Sequence, residues 1–345
     1  MAESNLGYTL KQLAEMVGGE LEGPEDFLIT RPVPAHSDDP SGVTFAESEK
    51  YLGKALAGSV GAVIVPAETG SSLKPLIRVA SPRLAFGMVL HAFAKPMPAR
   101  GIDPTAVVSD SANVDPTASI GAYAVVEDGA TIGAGTNILA HAYIGPDCHV
   151  GANCMIFSHV TLVQDVQVGE GCRIHAGAVL GADGFGFYWD GSRQQKVPQV
   201  GGVIVGKNVE IGAHTCIDRA TCGDTIIQDG VKLDNLVQIG HNTVVGSHTV
   251  MAAQVGTSGS VTIGEKNVFG GQAALSDHVT TGDNMIFGGR SGVIGDMDQP
   301  GEYFGLPPVP LSTAMRVMAL QARLPELYKR MREMERQIEE LKNGS

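Results

Sequence analysis

Two histidines and a glycine carry the clearest chemical spacing in this 345-residue chain. His241 stands two residues after Ile239, Gly259 two after Thr257, and His278 three after Leu275, so the three recur at close to eighteen-residue intervals. On a wall of stacked eighteen-residue coils they line one edge. At about 4.8 Å per layer, the two imidazoles stand roughly 10 Å apart with bare backbone between them. Imidazole is the side chain that gains and loses a proton near neutral pH. A lone corner histidine is more often a hydrogen-bonded surface group; a stacked pair flanking bare backbone is a candidate for proton-transfer chemistry. Asp234, on the preceding hexad, is near enough to reach around the corner toward His241.

The wall itself is written in the apolar residues. From Ile102 to Leu180 every sixth residue is apolar, and Gly often follows, as in Ile120-Gly121, Ile132-Gly133 and Ile144-Gly145. Neither a helix (period 3.6) nor an amphipathic strand (period 2) has this repeat. A parallel β-helix does: each hexad is a short strand and a corner, and three hexads close one triangular coil. The inward apolar residue forms the core, and Gly is expected to relieve the backbone at the turn. The repeat returns at Val205, Ile211 and Ile217, then runs from Ile227 to Val293 with Thr257 and Thr281 in apolar places. Nearly ten coils result, a prism roughly 45–50 Å long. Between Leu180 and Val205 the run Gly181-Ala-Asp-Gly-Phe-Gly-Phe-Tyr-Trp-Asp-Gly191 is too irregular for a coil wall. It predicts an ejected loop over about 183–202, a common carrier of function. A four-residue slip falls near Cys222-Gly-Asp224.

Composition fits a narrow prism: 45 Gly, 5% aromatics and a single Trp, which lies in the ejected loop. Such an interior is expected to take Val, Ile, Ala and Thr, with little space for rings. The net charge of −13 argues against a nucleic-acid binder. The first twenty residues mix Glu3, Lys11, Glu15 and Glu20 with apolar ones, unlike a signal peptide. No stretch approaches 18 apolar residues, so no span and a cytoplasmic location are expected. Cys148, Cys154 and Cys172 occupy inward places of the hexads; Cys154 and Cys172 stack at a spacing a disulfide tolerates, but small free-thiol core residues are expected.

Flanking segments differ in character. In residues 1–98, Thr9 and Gln12 form a capping box, Tyr8 staples Leu13, and Gly18-Gly19 ends the helix. Gly61–Val65 and Leu76–Ala80 read as buried strands of a small α/β domain that ends in the linker Lys95-Pro-Met-Pro98. The β-helix is assigned to 102–305. In 311–345, Val317, Leu320, Leu324, Leu327, Met331, Met334, Ile338 and Leu341 form a coiled-coil seam, with Pro325 placed to bend or divide it. This end carries seven Lys and Arg against five Asp and Glu.

The runs Gly181–Phe187, Lys196-Val-Pro-Gln199, Val209-Glu-Ile-Gly212, Ile217-Asp-Arg219 and Asp234-Asn-Leu-Val-Gln-Ile-Gly-His-Asn242 resemble UDP-3-O-(3-hydroxyacyl)glucosamine N-acyltransferase of lipid A biosynthesis. The resemblance covers nearly the whole chain, whereas the hexads alone indicate only the hexapeptide-repeat acyltransferase superfamily. It implies a left-handed parallel β-helix, an N-terminal α/β uridine-binding domain and a C-terminal helical segment. It also implies a homotrimer with active sites between subunits. The implied reaction moves a 3-hydroxyacyl group from acyl carrier protein to the 2-amino group of the UDP-sugar lipid. The donor carries its own phosphopantetheine, so neither resident cofactor nor metal is expected. His241 falls on the family's general base, His278 on its second active-site histidine, and Gly259 on the backbone N–H that holds the thioester carbonyl. Asp234 orients the imidazole or touches the pantetheine arm, and Asn235 and Asn242 are implied substrate contacts. Phe45 and Tyr51 match two aromatics that sandwich uracil; Ser48 stands where the family commonly has Asn, and Ala220 where Gly usually follows Ile-Asp-Arg. Arg316, Arg323, Lys329 and Arg330 are the expected docking residues for the acidic carrier protein.

Other classes compete. An acetyl-CoA-dependent nucleotide-amino-sugar N-acetyltransferase shares the prism but would not usually carry these flanking segments. A zinc hydratase needs a three-histidine site, whereas the ten histidines here are scattered. A non-catalytic scaffold needs neither the Asp234–Asn242 run nor an ejected aromatic loop.

Overall fold

The computed structural model describes residues 7–95 and 100–343; the end of the Lys95–Pro98 linker lies outside them. The chain divides into two compact units, Met1–Pro98 and Ala99–Ser345.

In the first unit the capping box forms: Thr9 Oγ1 accepts from Gln12 N–H at 3.2 Å and Gln12 Oε1 from Thr9 N–H at 2.9 Å. Helix α1 (Leu10–Val17) ends at Gly18 with φ 62°, the left-handed turn that glycine adopts most cheaply. Buried strands at Ala62–Pro66 and Leu76–Val79 lie in a five-stranded sheet. It packs with α1, α2 (Glu49–Ala57) and α3 (Pro82–Phe93).

The second unit is a parallel β-helix, as the six-residue period predicts. Its walls are sheets of 11, 10 and 9 strands. Ile120 pairs with Ile138 and Ile138 with Ile156, a strict eighteen-residue register. Where the hexads lapse, the register absorbs it. Leu180 pairs with Ile217 and Ile217 with Ile239, so 19 and 4 extra residues leave the wall at those two points. The larger expulsion contains a two-stranded ribbon, Phe187–Trp189 with Gln194–Lys196. Inward side chains such as Ile132, Ile144 and Ile156 are fully buried in one continuous core. Trimming one to Ala costs about 2–5 kcal/mol.

Two details differ from the sequence reading. Glycines after the apolar position, apart from Gly181 (φ 87°), do not serve by adopting left-handed angles. A Cβ at Gly121 would stand 2.7 Å from the backbone N of Ala140, and one at Gly133 2.7 Å from that of Ala152. They permit close stacking of successive coils, while non-glycine residues such as His141 (φ 62°), Asn153 (φ 56°) and Gln254 (φ 64°) make left-handed corners. Rings do enter the prism: Phe269 and Phe287 stack at 4.8 Å, with Tyr303 at 5.8 Å from Phe287. Near that end Gly301–Gly305 and Pro308–Pro310 close one sheet as an antiparallel pair. The five cysteines are free thiols, and Cys154 and Cys172 each reach a coil carbonyl (Gly169 and Gly206) at 3.1 Å.

The C-terminal seam is divided into α4 (Leu311–Gln321) and α5 (Leu324–Asn343), with Pro325 in the first turn of α5, where its missing N–H costs nothing. Ala314 of α4 is buried, whereas Leu324, Met331, Met334 and Ile338 of α5 are exposed. Among the described residues no helix is long and apolar enough to cross a membrane.

Candidate active site

His241 follows the strand Gln238–Ile239 at a corner, and glycine shapes its surroundings. A Cβ added to Gly259, one coil on, would lie 2.5 Å from both Nε2 and Cε1 of the imidazole. A Cβ at Gly184, in the ejected loop, would lie 2.7 Å from His241 Cβ and 2.9 Å from Cδ2. The ring therefore occupies a slot that exists because both positions lack side chains. Beside it the ladder is interrupted: Gly240 N–H donates to the Thr257 hydroxyl at 2.9 Å, which explains a threonine at an inward apolar place. The N–H groups of Ser258 and Ser260 are bonded to Leu275 O and His241 O, whereas that of Gly259 has no acceptor among the described residues.

The imidazole's proton is placed by Asn242. Asn242 Oδ1 accepts from Thr221 N–H at 2.9 Å, and its Nδ2 donates to Cys222 O at 2.8 Å, which assigns the amide's orientation. The same Oδ1 lies 3.1 Å from His241 Nδ1. An acceptor-only oxygen there requires Nδ1–H in the neutral ring, leaving the Nε2 lone pair free beside Gly259. Thr221 is tied to the ejected loop through its hydroxyl, which donates to buried Gln199 Oε1 at 2.9 Å. Both irregularities of the repeat thus converge on His241. Arg219 Nε donates to Gly201 O at 2.7 Å and anchors the loop's return.

His241, Gly240, Ser258 and Gly259 line a cavity of about 640 Å³. The ejected loop supplies another wall: Phe185 and Phe187, with centroids 5.1 Å apart, and Lys196, which pairs with Asp183 at 2.9 Å. Asp218 and Asp277 complete it. Burial pushes the Asp218 carboxyl above its ordinary range, against the opposing pull of a hydrogen bond from Gln238 and of His241. Nothing in the hexad count marks Asp218; its signal was the adjoining Ile217-Asp-Arg219 run.

Several expected residues lie elsewhere. The one directly in register with His241 and Gly259 is Asp277. His278 sits one position on, exposed in a left-handed corner (φ 59°), outside the cavity wall and 3.5 Å from the Asp277 carboxylate. Its three-residue offset from Leu275, against two for His241, is the reason. Asp234 is not brought to His241 within the chain. It follows Lys232–Leu233 on the neighbouring wall of the prism, one third of a coil away, and takes the Asn235 N–H at 2.7 Å. Asp234 and Asn235 instead line a second cavity, about 610 Å³, with His175, Glu210 and Lys232. There His175 Nε2 and Glu210 Oε1 are 2.9 Å apart, and Asn235 Oδ1 is engaged by Ala213 N–H. Asn242 likewise has both amide atoms engaged by protein and orients the His241 ring rather than presenting a free amide to the cavity.

In the first unit, Phe45 and Tyr51 line one cavity of about 610 Å³ with Lys54, Arg83 and Phe86. Phe45 stacks on Phe86 at 4.8 Å, so one of its faces is already used. Tyr51 is 52% exposed, with Lys54 Nζ 5.5 Å from its centroid. Ser48 is outside this wall, at the exposed N-cap of α2. Sequence reading missed Lys54, Arg83 and Phe86, which only the fold assembles. Arg316, Arg323, Lys329 and Arg330 are exposed on the C-terminal helices, Arg323 being 3.8 Å from Glu326.

The prism of stacked hexad coils is that of a hexapeptide-repeat protein. The bacterial transferase hexapeptide family (six repeats) matches residues 147–182. A UDP-N-acetylglucosamine acyltransferase from Arabidopsis shares the fold, with TM-score 0.55 and 20% identity over 60% of this chain and 72% of that one. A UDP-3-O-acylglucosamine N-acyltransferase of Syntrophotalea carbinolica is 50% identical over 96% of this chain and 97% of its own length. That of Methylacidiphilum infernorum is 49% identical over 97% and 96%. The chain belongs to the UDP-3-O-acylglucosamine N-acyltransferases and is an enzyme that transfers acyl groups.

Proposed function

We propose that this protein transfers a 3-hydroxyacyl group from the phosphopantetheine thioester of acyl carrier protein to the 2-amino group of UDP-3-O-(3-hydroxyacyl)glucosamine, in the cytoplasm. His241 Nε2 takes a proton from the amine as its nitrogen attacks the thioester carbonyl. The C–N bond forms and the carbonyl electron pair moves to oxygen, which the Gly259 N–H stabilises. Collapse breaks the C–S bond, and the departing thiolate takes the proton held by His241. The chemistry calls for no resident cofactor, since the donor brings its own arm.

One observation carries this reading: the Asn242-oriented imidazole lies against Gly259, whose N–H has no acceptor among the described residues, in one cavity. In the proposed homotrimer, Asp234 and Asn235 of one subunit face the His241 wall of another, which brings the two cavities together. The Phe45–Tyr51 cavity suits the uracil ring, with Arg83 and Lys54 for phosphate. His241→Ala should fold normally and lose acyl transfer by about 10²–10⁴, the usual worth of a general base. The product is identified by mass spectrometry from the nucleotide sugar and a mixture of acyl carrier protein donors. Activity within a few-fold of the parent would remove His241 from the mechanism.

A further inference from the structure

We propose that Asp218 binds the acceptor nitrogen as an ammonium beside His241, and is thereby the residue that selects an amine over a hydroxyl acceptor. This rests on the acceptor being an amine, as proposed above. Asp218 lies on the strand Cys216–Arg219, paired with the strand that leads to His241; Ile217 opposite Ile239 puts Asp218 beside Gly240. Gly240 carries no side chain to cover it, and both residues line the His241 cavity.

The other charged groups of that cavity are accounted for. Asp183 is paired with Lys196 at 2.9 Å, and Asp277 is 63% exposed and adjoins His278 at 3.5 Å. His241 does not need Asp218 for orientation, because Nδ1 is held by Asn242. Asp218 is left with the nearby Gln238 side chain, whose Nε2 also reaches Ile239 O at 3.3 Å, and forms no ion pair with a Lys or Arg among the described residues. Burial already disfavours its charged form. A partly buried carboxylate without a cation is costly, and such groups cluster at functional sites.

An aliphatic amine is a cation at neutral pH and supplies the missing charge; a hydroxyl of the same shape does not. The bound ammonium releases one proton to water before attack, after which the steps above proceed unchanged. Asp218 thus contributes to capture and placement of the nitrogen, and His241 to the proton transfer that makes it acylate.

The test compares two acceptors, UDP-3-O-acylglucosamine and the matching UDP-3-O-acylglucose, whose 2-hydroxyl replaces the amine. The readout is the ratio of their kcat/KM values, with thermal unfolding as the folding control. Asp218→Asn should lower the amine-to-hydroxyl ratio roughly 10- to 100-fold, the worth of a hydrogen bond to a charged group, chiefly through KM for the amine. Asp218→Glu should restore part of it. Gln238→Leu, at an exposed position, should shift the ratio the same way by a smaller factor and decides the matter if Asp218→Asn does not fold. A purely structural role would depress both acceptors alike; an unchanged ratio in these variants overturns the assignment. If the parent enzyme does not acylate the amine at all, the proposed reaction fails and the assignment of Asp218 falls with it, an outcome distinct from an unchanged ratio in an active parent.

Discussion

Gly259→Ala tests the site most directly, because the change adds one methyl group at a known place. The backbone there lies outside the left-handed region, so alanine is compatible with the coil. The new Cβ would meet imidazole Nε2 and Cε1 at 2.5 Å and Cδ2 at 3.1 Å, where ordinary contact begins at 3.4 Å. The ring must therefore retreat by about 0.9 Å, a displacement of the size that costs roughly 10²-fold in rate when it moves a catalytic group. That loss corresponds to about 2.7 kcal/mol of transition-state stabilisation. Retreat has little room, since the Gly184 backbone lies so near that a Cβ there would stand 2.7 Å from His241 Cβ and 2.9 Å from Cδ2. Steady-state kinetics should show kcat falling about 100-fold, with KM for the nucleotide sugar within about threefold. Gly256→Ala on the same coil is the control: a Cβ there meets nothing within 4 Å, and activity should be retained. A folded Gly259→Ala enzyme with kcat within about threefold of the parent would refute the slot as the device that positions the base.

Two other substitutions separate binding from chemistry. Phe45→Ala should weaken nucleotide-sugar affinity by roughly 1–3 kcal/mol, read as a rise in acceptor KM with kcat little changed. Because Phe45 also stacks on Phe86, calorimetry must accompany the kinetics; normal affinity with a collapsed unfolding temperature would make it a core residue instead. Reversing charge at Arg323 and Lys329 together should raise KM for acyl carrier protein and flatten its salt dependence while leaving nucleotide-sugar affinity alone. Unaltered carrier-protein kinetics in an assembled variant would place docking elsewhere.

The prism was legible because one rule repeats: an inward apolar residue every sixth place is a local pattern that no other element satisfies. What escaped that rule was local stereochemistry. A glycine after Ile120 looks the same in sequence whether it bends the chain or admits the next coil, and only the distance from Gly121 to Ala140 decides between them. The candidate site's placement was legible where it obeys the coil period, as at His241 and Gly259, and was off by one residue at His278, where Asp277 takes the place in register. Asp234 shows a further limit. Seven residues from His241 in sequence, it stands on another face of the prism, because a hexad turns the chain by a third of a coil. Adjacency along the chain is thus separation around the prism, whereas 18, 37 or 22 residues can mean contact. The departures from the repeat are the informative places: 19 residues leave the wall after Leu180 and 4 after Ile217. Gln199 from the first, Thr221 from the second and Asn242 from the corner form the hydrogen-bonded chain that orients His241. Without those interruptions the Asn242 amide would lose Thr221 N–H and Cys222 O, the partners that fix which of its atoms faces His241. The interruptions cost wall pairing and supply the asymmetry that the proposed proton transfer requires.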